Sequence, residues 1–144
     1  MLGLCLAPLL ILGANHAVQT SWHQSEHITA PFVEVQTCRD GFGAHVAAGI
    51  HPWAAVGLHY GLTYHITPEW SVTFQPRGGY GYSNTVHPIN HYRQITRFEV
   101  GAEILTCRIS WCGIVGYRHM SNGRGDVKTN SGIDFLELGL GYQF

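Results

Sequence analysis

The sequence predicts an all-β fold, an eight-stranded antiparallel up-and-down transmembrane β-barrel, and three observations carry that prediction. Hydrophobic residues alternate with polar or small ones at period two in several separate segments, the spacing of a two-faced strand rather than of a helix. Only 12% of the 144 residues are charged while 45% are hydrophobic, against about a quarter charged in an ordinary water-soluble domain. Arg93, Arg97, Glu99 and Glu103 gather on one face of one strand. They would be costly in a sandwich core and suit the narrow polar lumen of a small barrel, where charges pair. The length allows one domain. A net charge of -1 without any Lys/Arg cluster excludes nucleic acid as a partner, and low charge with 12% aromatics excludes disorder.

Taken in order, Met1 to Gly13 is an apolar run followed by the small residues Ala14 and Ala17. It reads as an export leader over residues 1–17, with the barrel spanning 18–144. No run of 18 apolar residues follows, which excludes a helical membrane protein but not a barrel. Weaker alternation marks strands at 15–23 and 32–39. Ala44, Val46, Ala48 and Ile50 then oppose His45, Ala47 and Gly49. Val56, Leu58, Tyr60, Leu62, Tyr64 and Ile66 alternate with Gly57, His59, Gly61, Thr63 and His65, the clearest strand in the chain. A weaker strand at 70–81 precedes Phe98, Val100, Ala102 and Ile104, which oppose Arg97, Glu99, Gly101 and Glu103. Another weaker strand at 110–119 precedes Leu136, Leu138, Leu140, Tyr142 and Phe144, which oppose Glu137, Gly139, Gly141 and Gln143. The total is about eight, and an even count closes a barrel. Turn residues separate the strands, with short turns near 40, 67 and 109 on the periplasmic side. Longer loops near 26, 86 and 125, and a short turn at His51-Pro52, face outward.

Of the four cysteines, Cys5 falls in the leader; Cys38, Cys107 and Cys112 form an odd set without zinc spacing and are expected as free, packed thiols. A Cys107–Cys112 staple across a short turn is the alternative. Ten histidines invite a metal reading, but the pairs His23/His27 and His87/His91 lie in or beside loops, where such spacing does not converge on one ion. His45, His59 and His65 fall on interior faces and read as hydrogen-bonded lumen residues. Arg124-Gly125-Asp126 spells an adhesion tripeptide in a Gly-rich loop, a match frequent by chance. No metal and no cofactor is expected.

The segment Tyr117-Arg118-His119-Met120-Ser121-Asn122-Gly123 carries the candidate chemistry. On a strand His119 and Ser121 point to one side, about 6.5–7 Å apart. Parity shares that side with Val115 and Tyr117, the lipid-facing one. Counting back from Phe144, the parity of Leu136, Leu138 and Leu140 puts Asp134 outside as well. An antiparallel register with His119 opposite Asp134 brings their side chains within about 5 Å. Charge on the lipid face is tolerable only near the interface, so these residues mark a rim. Acyl transfer is the chemistry they suit, with Ser121 as nucleophile, His119 as general base, Asp134 holding the imidazole, and Asn122 with Gly123 N–H as oxyanion donors. A polar hairpin tip capped by Asn and Ser is the bland alternative.

The run His119-Met120-Ser121-Asn122-Gly123, followed by Asn130-Ser131-Gly132-Ile133-Asp134 and the closing strand, resembles the C-terminal signature of the lipid A 3-O-deacylases, eight-stranded outer-membrane barrels. The closing strand itself is similar to the terminal strand of bacterial outer-membrane barrels. The deacylase resemblance implies an esterase that removes the 3-hydroxyacyl chain ester-linked at position 3 of lipid A, without a cofactor. It implies a triad on the barrel's exterior, with Ser121 as nucleophile, His119 as base, Asp134 as acid and Asn122 as oxyanion donor. The family's usual acid is Glu; Asp134 is one methylene shorter and follows a loop one residue longer. Met120 stands where an aromatic is common.

The expected location is the bacterial outer membrane and the expected partner lipopolysaccharide, whose ester lies in the outer leaflet beside the barrel wall. Self-association as a homodimer stays open. The alternative function is a small noncatalytic barrel with a structural, adhesion or protective role, in which the His-Ser-Asn run is loop chemistry.

Overall fold

A peptide group in lipid has no water to bond, so a membrane-spanning sheet must pair both of its edges. The computed structural model describes residues 2–3, 8–20, 25–50, 53–83, 97–121 and 133–144, and in it the sheet closes. Its strands are β1 (Leu2–Gly3), β2 (Leu9–Thr20), β3 (Ser25–Arg39), β4 (Phe42–Gly49), β5 (Trp53–Tyr60), β6 (Leu62–His65), β7 (Trp70–Ser83), β8 (Arg97–Arg108), β9 (Trp111–Ser121) and β10 (Ile133–Gln143). Every pairing is antiparallel, and the last strand, β10, pairs with both β9 and β2, which shuts the ring. β6 continues the wall strand begun by β5 beyond Gly61, and β1 is a two-residue addition to β6. The ten segments therefore make eight wall strands in up-and-down order. No helix occurs among the described residues.

Alternation is obeyed on both faces. Leu58, Val100, Leu138 and Leu140 stand exposed on the exterior, while Glu34, His45, Glu103, Arg118 and Glu137 are buried in the lumen. The Asp40-Gly41 turn uses two left-handed residues, φ 53° and 86°, the geometry that joins twisted antiparallel strands most tightly. At the next turn on the same end, Thr67 Oγ1 accepts from the backbone N–H groups of Glu69 (3.3 Å) and Trp70 (3.1 Å).

Four expectations change. The wall begins at Leu9 rather than residue 18, because Leu9 and Ile11 fill the lumen while Leu12 faces out, and β2 pairs with β10 along its length. β3 already begins at Ser25, paired with Thr20, so the segment near 26 is wall and not outer loop. His65 is exposed, since β6 ends there at the turn and the lumen does not reach it. Cys107 and Cys112 are opposite one another on β8 and β9, with Cα atoms 4.0 Å apart, and form a disulfide instead of free thiols. Cys38 is disulfide-bonded as well.

The lumen is filled in layers. Near the short-turn end lie Leu9, Ile11, Leu105, Cys112 and Ile114; near the long-loop end lie Phe32, Trp53, Met120, Ile133 and Phe135. Between them sits an ionic layer. Arg77 reaches Glu34 (2.9 Å), Glu99 (3.1 Å) and Glu103; Arg118 reaches Glu34 (2.6 Å) and Glu137 (3.2 Å). Gln36 Nε2 donates to Glu34 (2.7 Å) and Glu103 (2.8 Å), and Gln75 donates to Gln36 (2.8 Å). The Arg118 guanidinium also lies under the Trp53 ring, 4.7 Å from its centroid.

Removing one charge from such a layer strands its partners. Arg118→Met is expected to destabilise the barrel by about 3–5 kcal/mol, the usual cost of leaving a buried charge uncompensated. Urea unfolding of the refolded protein in lipid vesicles, followed by heat-modifiable gel mobility, measures it. An unchanged midpoint would show that the Glu34 and Glu137 carboxylates do not depend on Arg118.

Candidate functional site

On β9 the side chains of Cys112, Ile114, Arg118 and Met120 point inward, so the alternation turns Val115, Tyr117, His119 and Ser121 outward. On β10 Ile133, Phe135 and Glu137 point inward, and Asp134, Leu136, Leu138 and Leu140 face out. The hairpin register sets Asp134 directly opposite His119. This is the register the sequence required for a pair across the two strands.

The pair is formed. His119 Nδ1 lies 2.8 Å from Asp134 Oδ1, with the two side chains 32% and 34% exposed. A carboxylate on Nδ1 fixes a hydrogen there and leaves Nε2 as the basic nitrogen. Tyr117, two residues earlier on the same face, donates its hydroxyl to the same Asp134 Oδ1 at 2.5 Å. This second donor was missed from the sequence, where Tyr117 read as one more lipid-facing aromatic. The available signal was its place two residues before His119 on the same strand face.

Ser121 ends β9 on the same face, opposite Phe98 of β8. No hydrogen bond joins it to His119 among the described residues. Asn122 and Gly123 lie outside the described residues, as do His23, His87, His91 and Arg124 to Asp126. The structure thus unites His119 and Asp134, adds Tyr117, and keeps Ser121 one pleat further toward the outer end. Around them the wall is apolar: Val100 faces His119 across β8, and Leu136 faces Tyr117 across β10. Among the described residues no group of three or more His, Cys, Asp or Glu is placed to hold a metal ion.

Neither a protein-family model nor a curated protein matches the chain. Solved structures do. Neisserial surface protein A is similar with a TM-score of 0.61 at 13% identity, over 95% of this chain and 97% of that one. Ail, the attachment invasion locus protein of Yersinia pestis, gives 0.57 at 11% identity over 97% of this chain and 100% of its own. A de novo designed transmembrane β-barrel gives 0.55 at 12% identity over the whole of both chains. At such identities the likeness speaks for the fold. Joined to the exposed apolar band of Leu58, Val100, Leu138 and Leu140, it makes this chain a small β-barrel of the bacterial outer membrane.

The rim position has a measurable consequence. Asp134→Leu removes a charge that costs only roughly 0–1 kcal/mol at the interface together with the acceptor of the His119 and Tyr117 hydrogen bonds, and is expected to destabilise the barrel by about 1–3 kcal/mol. Leu138→Arg, deeper on the same face of β10, is expected to cost about 2–4 kcal/mol. Parallel urea titrations in vesicles measure both; a cost below about 1 kcal/mol for Leu138→Arg would place Leu138 at the interface and not in the hydrocarbon.

Proposed function

We propose that this barrel is an outer-membrane esterase of the lipid A 3-O-deacylase type, acting on the ester-linked 3-hydroxyacyl chain of lipopolysaccharide in the surrounding leaflet. The observation that supports it above the others is the His119–Asp134 bond of 2.8 Å on the lipid-facing wall. An imidazole tethered at Nδ1 by a carboxylate is the half of a hydrolytic triad that lends basicity to Nε2. Its height also fits. An ester joining an acyl chain to a sugar lies where headgroup meets hydrocarbon, so the substrate reaches this rim without leaving the membrane.

In this reading Ser121 Oγ attacks the ester carbonyl carbon while His119 Nε2 takes its proton. The oxyanion is met by Asn122 and the Gly123 N–H, each such donor being worth on the order of 3–4 kcal/mol in hydrolases. Collapse of the adduct expels the sugar hydroxyl, which receives the proton back from His119. Water, deprotonated by the same imidazole, then releases the hydroxy fatty acid and restores Ser121. The side chain of Asp134 keeps the ring oriented and balances the imidazolium charge throughout.

A second reading, a noncatalytic surface barrel, is favoured by two observations. Ser121 makes no hydrogen bond with His119, and the fold is shared with Ail, an attachment invasion locus protein also solved in complex with a heparin analogue. In that reading the His119, Asp134 and Tyr117 cluster fixes the hairpin tip at the membrane boundary.

Mass spectrometry of lipid A from Gram-negative cells separates the two. Cells expressing this chain are expected to lose one 3-hydroxyacyl mass per lipid A, and cells with Ser121→Ala at equal outer-membrane level to lose none. Unchanged lipid A in intact cells and in detergent, with the barrel folded, would favour the noncatalytic reading.

A further inference from the structure

Asp134 Oδ1 receives two donors, not one: the His119 ring at 2.8 Å and the Tyr117 hydroxyl at 2.5 Å. The second contact is not a by-product of strand pairing. Tyr117 faces Leu136 across the hairpin, not Asp134, so its phenol must lean along the strand to reach the carboxyl. A hydroxyl donating to a carboxylate at this length belongs to the short, charge-assisted class of hydrogen bond.

We infer that Tyr117 is a positioning residue of the esterase site, holding the Asp134 carboxyl on the oxygen that orients His119. The inference rests on the esterase reading. A single-methylene side chain leaves the carboxyl free to turn about its last torsion, which is broad for Asp. Two donors converging on one oxygen from neighbouring positions of β9 remove that freedom. The imidazole is then presented in one orientation to Ser121, and a role confined to orienting the ring alters kcat and leaves KM unchanged.

The test compares kcat and KM for release of 3-hydroxy fatty acid from lipopolysaccharide in detergent micelles, for the native chain, Ser121→Ala, Tyr117→Phe, Asp134→Glu and the double variant Tyr117→Phe/Asp134→Glu. Phe keeps the ring on the wall, and heat-modifiable mobility certifies that each variant is folded. Tyr117→Phe is expected to lower kcat about ten- to hundredfold, the usual effect of one hydrogen bond to a charged group, with KM unchanged. In the Asp134→Glu background the same substitution is expected to change kcat less than about threefold, because the longer acid no longer puts its oxygen where both donors meet. An unchanged kcat in Tyr117→Phe, a rise in KM alone, or an equal loss in both backgrounds would overturn the positioning role while leaving the esterase intact. Native activity that survives Ser121→Ala, or no native activity at all, would instead overturn the esterase reading and this inference with it.

Discussion

The constraint on which this structure depends is that a sheet in hydrocarbon cannot leave a strand edge unpaired. Pairing of β10 with β2 meets it, and everything else follows from closure. Eight wall strands enclose an interior just wide enough for side chains, so each wall residue has one of two fates. It fills the lumen or it meets lipid, and successive residues alternate between the two. The sequence obeys this at nearly every described position, which is why Gly, Glu, His and Arg alternate with Leu, Val and Tyr through the chain.

Closure also decides what the lumen can be. Glu34, Glu99, Glu103 and Glu137 converge from three strands, β3, β8 and β10, on Arg77 of β7 and Arg118 of β9, with Gln36, Gln75 and His45 supplying further donors. Carboxylates outnumber guanidiniums there, so each guanidinium is shared, and no charge in the layer is independent of the others. Above it Trp53, Phe32 and Phe135 pack together, with ring centroids 5.3 and 6.3 Å apart. Among the described residues these layers fill the lumen with packed side chains. The His119–Asp134 pair stands apart from these layers, on the exterior wall.

The parts legible in the sequence were those where the two faces differ in polarity. Val56 to Thr63 and Phe98 to Ile104 face lipid with apolar residues and the lumen with His, Thr or Glu, so period two stands out. The start of β2 was hidden for the opposite reason. Its lumen end belongs to an apolar layer, so Leu9 and Ile11 inside and Leu10 and Leu12 on the other face read as one continuous apolar run, indistinguishable from a leader. The Cys107–Cys112 bond depended on the hairpin register across Ile109, a left-handed residue with φ 55° that nothing in the composition announces. Parity alone carried Asp134, His119 and Ser121 to the exterior. It could not place the Tyr117 hydroxyl, because a long side chain leaning along a strand escapes a rule about which face it leaves from.

The identity of the acid at position 134 has a geometric reason within the esterase reading. Side chains directly opposite on antiparallel strands start only about 4.5–5.5 Å apart at Cβ. An imidazole and a carboxyl on a single methylene span that gap, and here they do so at 2.8 Å. A Glu at the same register starts from the same point with one more carbon, and must fold back or push the ring along the strand to make the same bond. Register and acid length are therefore one choice: a hairpin that sets the acid directly opposite the base suits Asp, and one that sets it diagonally suits Glu. The short acid gains directness and loses the packing that would hold a longer chain against the wall, and at this barrel's rim the hydroxyl of Tyr117 stands where that support is missing.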